Sequence, residues 1–287
     1  MSPLALLLVL GAAIAHAGWN VLAHGVSKLG APFLLWAALA ATLIWLPVVP
    51  FTGGIGAADL GSFALGVGVS GVLHIAYMLV LQGGYARADL STVYATARGS
   101  GPVLSVIGAI LLFAELPSGT ALLGIAIVIL GVVAVGFIGR RPDARGLGAG
   151  VIWGVLTGVG IATYTIWDSF SVREWGIQPV AMMVGTTAVE VVLYLAISWR
   201  RRASFAPILR DHWPRILAFG ALSPLSYILV LTAVQIAPVS LVAPMREVSV
   251  VLVSLWGGFV LAEGRPWARV AAAVVVAAGV VLVALGG

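Results

Sequence analysis

No cysteine occurs in the chain, which excludes a disulfide framework, a thiolate metal site and a thiol nucleophile, and leaves the cysteine count silent about compartment. Charge is scarce as well. Only 9% of residues are charged against 61% hydrophobic, and the apolar runs are too long for ordinary core helices. A soluble domain is thereby excluded, and the class is an all-α polytopic membrane protein. The formal charge of +5 does not point to nucleic acid, because the basic residues cluster in short loops between apolar runs, where they act as topology signals. H-E-x-x-H, a P-loop and a phosphate-cradling glycine run are all missing, so no metal, nucleotide or other cofactor is expected and any energy coupling has to use a gradient. Gly68-Val-Ser70-Gly71 matches the short G-x-S-G pattern of intramembrane serine proteases, with His74 too close in sequence to sit on a separate helix. A membrane-embedded enzyme is therefore the weaker alternative.

What the chain does have is one stretch written twice. Tyr77 to Glu115 begins YMLVLQ and ends LLFAE; Tyr227 to Glu263 begins YILVLT and ends GFVLAE. Arg98 lies seventeen residues before Glu115, and Arg246 seventeen before Glu263. An arginine well inside a membrane helix costs at least about 2.5 kcal/mol, so it faces a partner or a wet cavity. The opening of the chain is also echoed, with Trp19-Asn20 and Lys28 matched by Tyr164-Thr165 and Arg173. That echo argues for a first helix rather than a signal peptide, although Leu4 to Ala13 followed by Ala15-His16-Ala17 has the look of one.

At roughly 20 residues per crossing, ten spans fit: 3–26, 31–50, 63–85, 90–114, 119–139, 147–169, 178–198, 214–235, 239–262 and 266–285. They divide into a five-helix repeat over 1–139, a polar connector over 140–146 and a second repeat over 147–287. Five is odd, so the second repeat runs inverted, a plan that puts a central cavity near the midplane. Lys28, Arg87, Arg140, Arg141, Arg145, Arg200, Arg201, Arg202, Arg210, Arg215, Arg265 and Arg269 fall on one side and only Arg173 on the other. The first side is expected to be cytoplasmic, and the setting a bacterial cytoplasmic membrane. Small residues four apart, as in Gly154 and Gly158, predict close helix packing within the bundle. Pro102, Pro224 and Pro244 predict kinks.

Polar stripes fall on single helix faces: His16, Trp19 and Asn20; Ser70, His74 and Tyr77; Tyr94 and Arg98; Thr157 and Tyr164; Ser223 and Tyr227; and Arg246. Of these, His16, Trp19, Asn20, His74, Tyr77, Tyr94, Arg98, Tyr164, Tyr227 and Arg246 form a candidate substrate site, aromatic with a few convergent polar groups. Glu190 and Glu247 are the candidates for coupling or ion pairing. Arg98, followed by three small residues, is expected to meet solute, and Arg246, beside Glu247, to serve structure. Asp168 is expected at a solvated helix end.

The motif His16-Ala-Gly-Trp-Asn20 with Lys28, the stretch Tyr77 to Gln82, and the endings Phe113-Ala-Glu115 and Leu261-Ala-Glu263 resemble the EamA-type branch of the drug/metabolite transporter superfamily. The resemblance spans both repeats and nearly the whole chain. It implies a ten-helix, two-repeat secondary carrier, commonly an exporter of amino acids, related metabolites or drugs. Many members of that branch have proline where Arg98 and Arg246 stand, so the resemblance does not carry the substrate over; the opening motif also resembles members linked to phosphonate metabolism. Read together, these features lead to export of a small polar or zwitterionic solute by alternating access, with a proton-coupled exporter of cationic drugs as the alternative. The expected partners are the solute and the lipid bilayer, with no nucleic acid, and the protein is either a monomer or a homodimer.

Overall fold

The computed structural model describes residues 1–23, 26, 29–88, 90–138, 147–260 and 265–287. Every regular element among them is helical. In chain order these are α1 Pro3–Ala23, α2 Ala31–Trp45, α3 Leu60–Tyr85, α4 Leu90–Phe113, α5 Gly119–Phe137, α6 Leu147–Arg173, α7 Pro179–Ser198, α8 Phe205–Ile236, α9 Val239–Met245, α10 Val248–Phe259 and α11 Pro266–Gly286. Short 3₁₀ segments, Leu46–Thr52 and Trp199–Ser204, extend α2 and join α7 to α8. Among the described residues nine helical stretches are long and apolar enough to cross a membrane; one of them, Pro179–Ile236, contains both α7 and α8. The connector 140–146, Lys28, Arg140, Arg141, Arg145 and the repeat-ending Glu263 lie outside the described residues.

The helices start where sequence provides a cap. Asp59 accepts from Gly61 N at 2.8 Å and Ser62 N at 3.0 Å to begin α3, and Ser118 accepts from Ala121 N to begin α5. Proline has different effects at different places. α4 runs through Pro102 and α8 through Pro224, whereas the ninth expected span is divided at Arg246 and Glu247, just after Pro244. There the backbone bonds shorten to three-residue spacing, from Glu247 N to Pro244 O, Ser249 N to Arg246 O and Val250 N to Glu247 O. The break places two charged residues at the start of α10, deep in the bundle.

Helix contacts are close where glycine removes a side chain. A Cβ at Gly154 would come within 2.5 Å of Thr96, and one at Gly158 would collide with the Ser100 hydroxyl, so α6 lies directly on α4. Gly124 and Gly279 do the same between α5 and α11. The Gly154/Gly158 pair therefore packs within the bundle. α1 is an integral part of it, with Val9, Ala12 and Ala13 fully buried against its neighbours. The outer surface is apolar, as shown by the exposed Leu7, Leu111 and Leu130, which suits a lipid solvent.

Candidate functional site

Six helices surround a cavity of about 150 Å³, bordered by His16 and Trp19 from α1, Ala38 and Ala41 from α2, His74 and Tyr77 from α3, Tyr164 from α6, Glu190 and Tyr194 from α7, and Phe219 and Tyr227 from α8. Arg246, at the break after α9, closes one wall. The rings are interlocked. His74 stacks on Tyr164 at 4.3 Å between centroids, while Tyr77 and Tyr227 meet Tyr164 edge-on at 5.5 and 5.9 Å. On the opposite wall Trp19 packs edge-on against both His16 and Phe219. These contacts fix ring orientation before anything binds, and each ring adds apolar surface with a polar edge.

Four of the sequence-selected residues do not border the cavity. Asn20 donates to the carbonyl of His16 at 2.7 Å, one turn back on its own helix. Tyr94 lies 5.2 Å from the Arg98 guanidinium, in cation–π contact. Arg98 itself donates to both Glu247 oxygens, at 3.4 and 3.3 Å, and lies 3.2 Å from Nε2 of His16. Glu247 is 1% exposed and lies between the two arginines. The places expected of the two arginines are thus exchanged. Arg98 is bound up in a buried ion pair behind the wall, and Arg246 is the one at the cavity, its Nε 3.7 Å from Glu247 and without a hydrogen bond. Adjacency in sequence misled here, because side chains of helical neighbours point about 100° apart whereas α4 faces the α9–α10 break directly.

Asp168 is the second correction. Expected at a solvated end, it is fully buried; its Oδ2 accepts from the Tyr227 hydroxyl at 2.7 Å, and its Oδ1 has no partner. Asp168 follows Tyr164 by four residues, and Tyr194 follows Glu190 by four, so the one-face rule already applied to the stripes would have found both. Ser70 and His74 do come within hydrogen-bonding distance, at 3.3 Å. His74 Nδ1 nevertheless lies 2.9 Å from the Ser70 carbonyl oxygen, which can only accept, so Nδ1 carries the proton and cannot serve as a base for the serine.

A second charged cluster lies away from the cavity. Glu115, at the end of α4, accepts from Val239 N at 2.9 Å and Ser240 N at 2.8 Å, and pairs with Arg173 at 2.6 Å. It thereby ties the ends of α4 and α6 to the start of α9. The sequence matched Glu115 to Glu263 but offered no reading of what either does.

No curated protein matches the chain. A solved structure described only as the crystal structure of a protein shares its fold, with a TM-score of 0.76 over 98% of this chain and 96% of that one at 15% identity. The model of the EamA-like transporter family matches residues 148–285, which include the second copy of the doubled stretch with Tyr164, Glu190, Tyr227 and Arg246. That match covers just under half of the chain, and it likens this half to the EamA-like transporter family of the drug/metabolite transporter superfamily.

Proposed function

We propose that the protein exports a small zwitterionic metabolite of the amino-acid class across the bacterial cytoplasmic membrane by alternating access. The observation that carries this reading is a pair of opposite charges left unspent around one cavity. Glu190 makes no hydrogen bond or ion pair among the described residues, and Arg246 has only its distant contact with Glu247. An ammonium suits Glu190. A carboxylate suits Arg246, which can donate two parallel hydrogen bonds. The Trp19 indole N–H is a further donor without a partner, and its ring with Phe219 offers apolar surface for a side chain.

The proposed scaffold is ten crossings in two inverted five-helix repeats, 1–139 and 147–287. Helix contacts support it. The pairs α1 with α8, α2 with α8 and α4 with α5 have counterparts in α6 with α3, α7 with α3 and α10 with α11. The pairs α2 with α7, α5 with α11 and α4 with α9 map onto themselves. Such a twofold relation lets one repeat rock against the other around a fixed site.

The test is a thermal-shift panel on purified protein with L-leucine, leucinamide, 4-methylpentanoate, organic acids, phosphonates and lipophilic cations. L-leucine is expected to stabilise, and its two single-charge analogues to fail. Glu190→Gln and Arg246→Lys are each expected to weaken L-leucine by about tenfold or more, the loss of about 1.4 kcal/mol or more. The unpaired Glu190 also favours a second reading, export of a lipophilic cation, which needs no arginine. Stabilisation by cations alone, insensitive to Arg246→Lys, would replace the first reading with the second. Turnover of a lipid or peptide in detergent would discard both.

A further inference from the structure

We propose that His74 and Asp168 together hold one exchangeable proton. The site follows from hydrogen-bond direction. Nδ1 of His74 must donate to the Ser70 carbonyl at 2.9 Å, so in the neutral ring Nε2 presents a bare lone pair. That lone pair faces Oδ2 of Asp168 at 3.9 Å. Two acceptors oppose each other there unless one proton joins them. Asp168 is fully buried, and the Tyr227 hydroxyl satisfies Oδ2 alone, leaving Oδ1 without a partner. A carboxylate buried in this way is costly without a compensating positive charge.

Charge counting over the described residues of the bundle centre leads to the same place. Arg98 and Arg246 oppose Asp168, Glu190 and Glu247, which leaves one negative charge in excess. A proton on Nε2 of His74 closes the balance. The surroundings leave few competitors. Tyr164 and Tyr227 face the imidazole as rings, Arg98 of α4 is turned to Glu247, Arg246 is already cationic, and Glu190 of α7 is the remaining acid within electrostatic reach. His74 borders the cavity, so the proton reaches it from cavity water.

The experiment steps purified protein in weakly buffered detergent from about pH 8.5 to about pH 5.5, spanning the ordinary histidine range, and counts protons with an indicator dye. Wild type is expected to take up about one proton per chain more than His74→Gln and than Asp168→Asn, each checked for folding by size-exclusion chromatography. Should either fail to fold, Tyr227→Phe, which removes only the hydroxyl bonded to Asp168, is expected to move the uptake midpoint. Uptake curves in the variants that superpose on wild type would overturn the site. So would loss of that proton in Glu190→Gln with His74→Gln unaffected.

Discussion

Arg98 and Glu247 are both nearly inaccessible, and the two bonds between them are long for a charge-assisted pair. Their value to the fold lies less in attraction than in the penalty for removing either one, because the survivor is left charged in a dry interior. Arg98→Met is therefore expected to lower unfolding stability by about 3–5 kcal/mol, and Arg98→Met with Glu247→Leu to recover part of it. Thermal unfolding in detergent reads both. An Arg98→Met protein that melts like wild type would mean that Glu247 is served by Arg246 instead. Arg246→Lys, by contrast, keeps its charge beside Glu247 and is expected to retain most of the stability while losing solute affinity, since an ammonium cannot reproduce the two-pronged bond.

At the scale of elements, the division of the ninth expected span into α9 and α10 is what brings Arg246 to the cavity. A continuous helix would satisfy its own backbone and carry the residue past the wall; the break after Pro244 turns it inward. α9 has only seven residues, and its first amide groups are held by Glu115 rather than by a local cap. Glu115→Ala removes two backbone bonds and the Arg173 pair together. It is expected to destabilise by about 3 kcal/mol or more, given about 1.5–3 kcal/mol for a hydrogen bond to a charged group. Glu115→Gln should retain part of the capping and fall between, as apparent melting temperatures would register. In the α4–α6 seam, Gly158→Ala places a methyl against Ser100 and within 2.9 Å of Gly101 N. Overpacking of this kind costs about 1–3 kcal/mol. A Gly158→Ala variant with an unchanged melting temperature would show that the seam can open.

For the whole molecule, the distribution of arginine sets the orientation. Gly30 lies beside Arg201, and Arg87 lies over Trp153, at one end of the bundle; Ala57 bonds Gly176, and Ser118 bonds Gly286, at the other. Of the described arginines outside the bundle centre, Arg173 alone belongs to the second end. We expect the arginine-rich end to face the cytoplasm. Since the chain has no cysteine, Ala203→Cys gives a single exposed thiol beside Arg202 for labelling with a membrane-impermeant maleimide. Labelling only after the cytoplasmic face is made accessible is the expected result, and labelling in intact cells would reverse the orientation.

The sequence by itself determined the solvent, the helical class and the family resemblance, because each rests on local quantities: length of apolar runs, period of small and polar residues, and the doubled stretch from Tyr77 and Tyr227 to their closing Ala-Glu. It also picked out most of the cavity rings, though not Tyr194 or Phe219, since His16 with Trp19 and His74 with Tyr77 share a helix face by spacing alone. Which charge meets which was decided only in three dimensions. Arg98 finds Glu247 across 149 residues, and Asp168 finds Tyr227 across 59. Helical spacing relates residues within one helix and is silent about the helix opposite, whereas the partner of a buried charge is whatever the neighbouring helix presents. That is why the places of the two arginines came out exchanged, and why an aspartate one turn beyond Tyr164 proved to be at the centre of the protein rather than at its edge.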